Sequence, residues 1–554
     1  MAPPELRRLG PQWSDLVSTT LASLAASRVV ERLWAKDFRL WKPHPEEISN
    51  RLGWLTLPDD MRAHLAALTR LASETAAHRI TDVVLLGMGG SSLGPEVLRQ
   101  TFGRQKGQPR LWVLDSTVPG WVRTVTHAIT PARTLFLVAS KSGGTIEVLS
   151  LFAHFWHLVA RTPGNRGGAQ FLVITDPGTG LEQLAHDHRF AHIVHNPPDI
   201  GGRYSVLSLF GLVPAALLGL DVRRLLQRAA RMAKQCRVST PPKQNPGLFL
   251  GAVLGALAQA GRNKVTLVTS PPLKAFGLWA EQLLAESTGK EETGLIPVAQ
   301  EPLLAPSAYG TDRFFIYLRL AGAKNATLDR RLQALARAGH PVLTLPLRDC
   351  YDLGAEFFRW ELATAVAGHL LGIHPFDQPN VQESKDNTQR VLKDLTQRGQ
   401  LPDQPTWTPR QAATELGSHL QPGTYLSILA YTAPTAPFEA AVQRLRRTLV
   451  QQYRITTTFG YGPRYLHSTG QLHKGGPKGG VFLELIDRMT PDLAIPGAPY
   501  SFGALAQAQA AGDVSSLHAH GRVVLRLPLG PSPARTVQQL HQAVSPLRRR
   551  TRIP

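Results

Sequence analysis

Six consecutive residues carry most of the groups that could bind a phosphate. They lie within TLFLVASKSGGTIE, residues 134–147, after an apolar run that is typical of a buried strand. Three hydroxyls, one ammonium group and two glycines can surround a phosphate monoester with donors and one countercharge. The spacing is not that of a nucleotide-binding loop, so a small phosphorylated ligand is predicted. The six residues are Ser140, Lys141, Ser142, Gly143, Gly144 and Thr145.

A second glycine-rich turn has the same pattern of strand, turn and helix. In DVVLLGMGGSSLGP, residues 82–95, Gly89, Gly90 and Ser91 follow the apolar run. Glycines let a ligand approach the backbone, and the free N–H groups of a helix N-terminus attract anions. The turn lacks the last glycine of a dinucleotide-binding fingerprint. For both stretches the alternative is a turn that only joins a strand to a helix.

Three polar side chains fit the chemistry of moving a carbon-bound proton. Arg203, in GGRYS, follows a glycine turn and could hold an oxyanion. Glu286 stands near the end of the apolar helix LWAEQLLAESTGK, and Gln282 lies one helical turn before it on the same face. A carboxylate in that position can act as a general base. An arginine that binds a nearby carbonyl and a solvated glutamate are the structural alternatives.

Two later segments supply a lysine and a histidine. Lys385 lies on the helix predicted after the rigid turn GIHPFDQP and could donate to a substrate oxygen. His467 and His473 lie in the glycine-rich segment YGPRYLHSTGQLHKGGP, residues 461–477. No third ligand stands at a metal-like spacing, so no metal site is predicted. An exposed helix lysine and a surface loop are the alternatives here.

The composition is that of a globular protein with an unusually basic charge. The 554 residues include only Cys236 and Cys350 as cysteines, which favours a reducing compartment and a cytoplasmic enzyme. The sequence has no uncharged apolar stretch long enough to cross a membrane, so no membrane span is predicted. The net charge of +21 is scattered, apart from the terminal run LRRRTRIP, and no nucleic-acid-binding motif accompanies it. A basic surface that attracts anionic substrates is therefore preferred to nucleic-acid binding.

The elements that must position these residues alternate between strand and helix from about residue 80. Such alternation is typical of an α/β fold with doubly wound parallel sheets. Residues 11–75 are predicted to be a helical arm, and residues 459–480 a glycine-rich connection. The predicted strands are 82–87, 111–115, 134–139, 171–176, 265–270, 314–320, 341–347, 424–430, 481–487 and 522–527.

Five blocks in the same order make the chain resemble the glucose-6-phosphate isomerase family. They are GMGGSSLGP, SKSGGT, GGRYSVLS, AESTGK and HPFDQPNVQESK, between about residues 80 and 395. Two more segments, WAKDFRLWKPHPEEISNRLGWL and HSTGQLHKGGP, are similar to the isomerase half of bifunctional transaldolase–phosphoglucose isomerase proteins. The resemblance therefore points to that branch of the family.

The resemblance implies two sugar-isomerase (SIS) type doubly wound parallel-sheet domains, with an N-terminal helical arm and a C-terminal α/β extension. It also implies a homodimer that needs no metal or organic cofactor and acts on a phosphorylated sugar. No nucleic acid or membrane is expected as a partner. The expected boundaries are 1–78 for the arm, 79–240 and 241–400 for the two SIS-type domains, and 401–554 for the extension.

The implied activity is the interconversion of glucose 6-phosphate and fructose 6-phosphate through a cis-enediol, in glycolysis and gluconeogenesis. Glu286 would be the base, Arg203 would stabilise the intermediate and Lys385 would assist ring opening. Gln282 and the two glycine-rich turns would bind the substrate and its phosphate. The family has its ring-opening histidine between the AESTGK-like and HPFDQP-like blocks, but the corresponding stretch here, PSAYGTDRFFIYLRL, contains none, and His467 is the expected substitute.

Two alternatives stay open from the sequence. One is an isomerase of mixed specificity for glucose 6-phosphate and mannose 6-phosphate. The other is a non-catalytic sugar-phosphate-binding regulator. It would keep residues 140–145, the phosphate loop, but lack the set of Glu286, Arg203 and Lys385.

Overall fold

The computed structural model describes residues 9–399 and 404–545, so the basic run LRRRTRIP lies outside the described residues. The N-terminal arm is less continuous than predicted, because residues 35–56 form short turns in place of a helix. Trp41 donates from Nε1 to the carbonyl of Ala365 over 2.8 Å, so these turns pack on a distant part of the chain. The helices of the arm are α1 (Pro11–Ala26), α2 (Val29–Trp34), α3 (Leu57–Asp60) and α4 (Leu65–Ala77).

The first sheet has five parallel strands in the order β2-β1-β3-β4-β5. Its interior strand β1 is buried at every position, which fits the apolar run within DVVLL. The short edge strand β5 was not predicted. The elements are β1 (Asp82–Gly87), α5 (Leu93–Phe102), β2 (Arg110–Leu114), α6 (Pro119–Ala128), β3 (Thr134–Ala139), α7 (Ile146–Ala160), β4 (Phe171–Thr175), α8 (Gly180–Asp187) and β5 (His192–His195).

Three helices lead from the first sheet to a second parallel sheet of order β7-β6-β8-β9. Strand β7, which reads IPVA, was also missed because it is only four residues long. The elements are α9 (Leu209–Leu217), α10 (Val222–Gln235), α11 (Pro246–Gln259), β6 (Lys264–Thr269), α12 (Phe276–Thr288), β7 (Ile296–Ala299), β8 (Arg313–Leu320), α13 (Ala326–Arg337), β9 (Val342–Leu347), α14 (Leu353–Leu370) and α15 (Pro379–Arg398).

The C-terminal extension contains a third parallel sheet of order β11-β10-β12-β13. Residues 459–480, predicted as a glycine-rich connection, contain the end of β11, a 3₁₀ turn over Arg464–His467 and helix α18. The elements are α16 (Pro409–His419), β10 (Tyr425–Tyr431), α17 (Ala436–Tyr453), β11 (Thr456–Tyr461), α18 (Gly470–Gly475), β12 (Gly480–Ile486), α19 (Phe502–Ala519), β13 (Val523–Pro528) and α20 (Pro533–Val544).

The extension is built into the rest of the molecule. Phe502 and Leu505 of α19 belong to the same buried core as Val84 and Phe136 of the first sheet. Each sheet lies inside one of the three expected α/β regions, whose boundaries stay a prediction. The fold is thus α/β with SIS-type parallel sheets, as predicted. Among the described residues, no helix has the length and apolar character needed to cross a bilayer.

Candidate active site

Arg203 lies at the centre of a buried cluster that joins three distant parts of the chain. Its Nη1 is 3.0 Å from Oε1 of Glu286, and both side chains are less than a tenth exposed. Its Nε donates to Oγ of Ser287 over 2.9 Å. The remaining N–H groups donate to the side chain of Gln378 and to carbonyls of the HPFDQP turn. Arginine suits this position because its planar fork serves several acceptors at once.

Gln282 links the carboxylate of Glu286 to the extension. From one face of α12, its Nε2 donates to Oε2 of Glu286 and to the backbone carbonyl of His467, both over 2.9 Å. Gly89 packs against Gln282 and the backbone of His467, because a Cβ at Gly89 would lie 2.8 Å from the His467 carbonyl oxygen and 3.0 Å from Nε2 of Gln282. Glycine is required here by this close approach and by a φ of +55°.

His467, which is partly exposed, pairs with the buried Glu147. Its Nε2 is 2.7 Å from Oε1 of Glu147, which also accepts from Nε2 of Gln509 over 2.7 Å. Although burial by itself would raise the pKa of Glu147, the charge of His467 and its hydrogen bond, with a contribution from Lys385, lower that pKa below its ordinary value. Glu147 is therefore ionised and holds the imidazole in one orientation.

A pocket beside this pair brings together the phosphate loop, His467 and Lys385. Lys385 is exposed on α15, and no acidic side chain pairs with it in the described part of the chain. Its ammonium group therefore remains free to meet a ligand. The lining residues are Gly144, Thr145, Ile146, Glu147, Val381, Ser384, Lys385, Thr388, Gln389, Leu466, His467 and Gln509.

The phosphate loop is held in shape by its own hydroxyls. Oγ of Ser140 lies 2.9 Å from Oγ1 of Thr145 and accepts from the N–H of Gly143 over 3.2 Å. Gly143 has a φ of +71°, which turns the chain back toward α7. Ser142 and Gly144 are exposed at the tip of the loop. The loop thus presents hydroxyls and backbone N–H groups at the start of a helix, where an anion is favoured.

Lys141 does not point its charge at the pocket. Its Nζ is paired with the carboxylate of Asp176 and donates to the carbonyl of Pro198 over 2.9 Å. The ammonium group that was predicted to balance the charge of a phosphate is therefore already paired with a carboxylate at the end of β4.

The glycine-rich turn after β1, which contains Gly89, Gly90 and Ser91, packs directly against the turn that carries Arg203. A Cβ at Gly90 would lie 1.9 Å from the carbonyl of Gly202, so only glycine fits. Ser91 is buried at 7% exposure, within the 3₁₀ turn Gly89–Ser91. Because the ends of β1 and β3 are neighbours at the point where the strand order reverses, both predicted turns meet at the usual ligand-binding edge of such a sheet.

Two buried ion pairs hold the segment that carries His467. Arg464 binds both carboxylate oxygens of Asp115, each over 2.8 Å, and so ties the segment to the end of β2. Lys474 lies 2.6 Å from Asp513 of α19, and both side chains are 1% exposed. The extension therefore completes the candidate site from within the same chain. His473 is buried behind it and takes no part.

The HPFDQP turn is fixed by Lys290 of the AESTGK block. Nζ of Lys290 lies 2.6 Å from Oδ1 of Asp377 and also bonds the carbonyl of His374. Burial, aided by the charge of Arg203 and opposed by Asp377, lowers the pKa of Lys290 to about 7. This pair orients the carbonyls that Arg203 binds. The side-chain oxygen of Asn380, in the first turn of α15, accepts from Nε2 of Gln471 over 2.7 Å.

Sequence reasoning missed three groups of the cluster. Glu147 resembles an ordinary acidic residue in the first turn of a helix, and only its position two residues after Thr145 hinted at a role. Gln509 gave no signal because α19 was not predicted. Gln378 lies inside the HPFDQPNVQESK block, in which only Lys385 was predicted to take part. Within residues 9–399 and 404–545, no three His, Cys, Asp or Glu residues are grouped to hold a metal ion.

The chain is similar in sequence to proteins of a known family. A family model described as phosphoglucose isomerase matches residues 60–298, which include Arg203, Gln282 and Glu286 but neither Lys385 nor His467. The glucose-6-phosphate isomerase of Rubrobacter xylanophilus is 32% identical over 61% of this chain and 91% of its own length. That of Symbiobacterium thermophilum is 31% identical over 61% of this chain and 86% of its own.

Solved structures with the same fold are also known. A hypothetical protein from Thermus thermophilus is 26% identical, with a TM-score of 0.61 over 71% of this chain and all of its own. A glucose-6-phosphate isomerase from Chlamydia trachomatis is 18% identical, with a TM-score of 0.58 over 69% of this chain and 86% of its own. The second likeness concerns the fold alone.

Proposed function

The chain belongs to the phosphoglucose isomerase family, and from that premise we infer that it is an aldose–ketose isomerase that interconverts glucose 6-phosphate and fructose 6-phosphate. The observation that carries the mechanism is the buried contact between Glu286 and Arg203. A base and a fixed cation side by side are what proton transfer through a cis-enediol requires. A regulator that only binds sugar phosphates would need neither group.

We propose that Glu286 transfers the proton between carbons 1 and 2. Its carboxylate takes the proton from carbon 2 of the open-chain aldose, and the electron pair of that C–H bond forms the enediolate. The same carboxylate returns the proton to carbon 1, while a hydroxyl proton passes from oxygen 2 to oxygen 1. Gln282 supports this role, since its amide holds one carboxylate oxygen and leaves the other beside Arg203.

Arg203 would stabilise the negative charge of the enediolate. A guanidinium cannot deprotonate in a protein, so it neutralises that charge without giving up a proton. Its other hydrogen bonds, to Ser287, Gln378 and the carbonyls of the HPFDQP turn, hold it in place before the substrate arrives. Such preorganisation makes electrostatic stabilisation effective because nothing has to reorient during the reaction.

The phosphate would anchor the far end of the sugar at the loop Ser140–Thr145, with the N–H groups at the start of α7. Gly89, Gly90 and Ser91 would border the sugar, and Lys385 would donate to its ring oxygen. Lys141 would act only through its field, because its ammonium is bound to Asp176. Anchoring a remote group provides binding energy that positions the reacting carbons.

We propose that His467 opens the sugar ring, with Glu147 as its positioning residue. The imidazole lines the same pocket as Thr145 and Lys385, and Glu147 fixes its orientation. This assigns to the extension the histidine that the stretch PSAYGTDRFFIYLRL lacks. All proposed groups come from one chain, so the homodimer that the resemblance implies is not required to assemble them.

A direct assay tests the function. Purified protein, in a buffer with a metal chelator, is expected to convert fructose 6-phosphate into glucose 6-phosphate until the two reach equilibrium, as followed by NMR. Mannose 6-phosphate is expected to stay below detection, which separates this activity from mixed specificity. Failure to form glucose 6-phosphate from folded protein would contradict the proposal.

His467→Asn is expected to lower kcat on fructose 6-phosphate by about 100-fold, the usual effect of losing an acid–base group. Erythrose 4-phosphate cannot close a ring, because its 4-oxygen carries the phosphate. The rate at which the variant isomerises erythrose 4-phosphate should therefore change by less than about threefold, because that reaction includes no ring-opening step for His467 to catalyse. Equal losses on both sugars would contradict the ring-opening role.

Glu147→Gln is the matched test of the positioning role. It should lower kcat on the hexose by about tenfold in the wild type and cause no further loss in His467→Asn, because it acts through that histidine. Additive losses in the double variant would mean a separate role.

Further properties are proposed from the sequence. The segments at residues 34–55 and 467–477 favour the isomerase halves of bifunctional transaldolase–phosphoglucose isomerase proteins as the nearest branch. The protein is proposed to be a cytoplasmic homodimer. No metal or organic cofactor is assigned a step in the mechanism.

A further inference from the structure

A second cavity of about 710 Å³ lies on the other side of α12 from the candidate active site. It opens at the carboxyl ends of β6 and β7, and its far wall is formed by β11 and α17 of the extension. Ligands of open α/β sheets bind outside the carboxyl ends of the strands, and pockets for small molecules usually measure about 300–1,000 Å³. Position and size therefore suit a small molecule.

Three cations face this cavity without an acidic partner in the described part of the chain. Lys274 follows β6, and Arg447 lies on α17; both are exposed and form no ion pair. Arg331 of α13 donates only to the carbonyl of Leu303, over 2.8 Å. They come from three elements that are far apart in the chain, yet they converge on one cavity.

The acidic groups of the cavity offset this charge only in part. Glu301 is bound to Arg313 in a pair whose side chains are both 1% exposed. Glu281 accepts from the N–H of Ala299, and burial raises its pKa to about 7, so at neutral pH it carries only part of a charge. Glu439 accepts from the hydroxyl of Tyr461 over 3.3 Å. The cavity therefore has a net positive charge.

The two remaining arginines of the cavity are already satisfied. Arg446 is 1% exposed and donates to the carbonyls of Ala299, Gln300 and Thr457. Arg464 is bound to Asp115. The free cations are thus distinct from the arginines that hold the walls together, as expected where a ligand supplies the missing anion.

We propose that this second cavity binds a small phosphorylated metabolite. Lys274, Arg331 and Arg447 would hold the phosphate, because ammonium and guanidinium groups are the preferred partners of phosphate oxygens. Phe459 and Tyr461 provide an apolar wall for the rest of the molecule.

The cavity shares two walls with the candidate active site. On α12, Glu281 lines the cavity, whereas Gln282 and Glu286 belong to the site. On the adjoining segment, Arg464, Ser468 and Thr469 line the cavity, whereas His467 pairs with Glu147. A ligand in the cavity would therefore change the isomerase rate, a consequence that rests on the proposed function.

The binding test uses the full chain with inorganic pyrophosphate and adenosine monophosphate as probes. Calorimetry is carried out with fructose 6-phosphate present at saturation, so that the active site is occupied. Pyrophosphate is expected to bind under these conditions, and the double variant of Lys274→Ala with Arg447→Ala should weaken it by at least about tenfold. Arg444→Ala, an exposed arginine on the same helix α17 that does not line the cavity, is the control and should bind as wild type.

Hydrogen exchange locates the bound probe without relying on activity. Pyrophosphate should protect residues 299–303 and 456–461 and leave residues 140–147 unchanged while fructose 6-phosphate is present. Adenosine monophosphate binding more tightly than pyrophosphate would identify a nucleotide as the ligand. The proposal is overturned if neither probe binds, if the double variant binds as wild type, or if protection appears only at 140–147. Probe binding to a protein without isomerase activity would remove the regulatory consequence and leave the site.

Discussion

Glu286→Gln is expected to lower kcat for the interconversion of fructose 6-phosphate and glucose 6-phosphate by about 10³-fold or more, because no other carboxylate in the cluster can take its place. KM should change by less than about threefold, since the phosphate loop and Gln282 still bind the sugar. Initial rates over a range of substrate concentrations measure both constants. Glutamine has nearly the same shape, so the loss reports the missing base and not a collapsed site.

The matched control is Glu361→Gln. Glu361 on α14 is fully buried like Glu286, and its carboxyl oxygens have no hydrogen-bond partner in the described residues. Burial raises the pKa of Glu361 well above its ordinary value and so favours its neutral form, which glutamine mimics. The kcat of the Glu361→Gln variant should stay within about threefold of the wild-type value. A Glu286→Gln protein with rates like those of this control would exclude Glu286 as the base.

Arg203→Lys is expected to lower kcat by about 10³-fold, since one ammonium group cannot reproduce the fork that meets both Glu286 and the developing enediolate. The variant should also unfold at a lower temperature, because the carbonyls of Pro375 and Asp377 lose their donors. Steady-state kinetics and thermal unfolding measure the two effects separately.

Arg313→Lys separates the catalytic loss from the structural one. Arg313 is another fully buried arginine, with four hydrogen bonds to Glu301, Thr266 and the carbonyl of Ile455, and it lies outside the candidate active site. It should lose a similar amount of stability with kcat within about threefold of wild type. If Arg203→Lys lost no more activity than Arg313→Lys, a role in stabilising the intermediate would be contradicted.

The position of the candidate active site was predictable from local sequence. Apolar runs followed at once by GMGG and SKSGG predict buried strands that end in tight turns, and the two strands are indeed neighbours, with Gly87 paired to Ala139. Gln282 and Glu286 share one face of a helix because they are four residues apart, and the structure joins them by a hydrogen bond. Information of this kind lies within a few residues of chain, so patterns reveal it.

Side chains whose roles depend on distant partners were not predictable in this way. Lys141 was expected to face a phosphate, but Asp176, which is 35 residues away, takes its ammonium group. Glu147 had the pattern of a helix-start acid until His467, which lies 320 residues later, was found beside it. Which buried charge pairs with which is decided by packing, because an unpaired ion inside the protein costs too much free energy to remain.

Neighbouring residues alone predict the strand–turn–helix units, the parallel α/β class and the candidate residues for proton transfer. The folded chain was needed to show that the extension enters the candidate site, where Arg464 and Lys474 are held by Asp115 and Asp513 and His467 meets Glu147. It was also needed to show that α12 borders both the candidate site and the second cavity. The physical reason is that turn geometry and helix periodicity arise from neighbouring residues, whereas ion pairing and cavity shape arise from surfaces that meet only when the chain has folded.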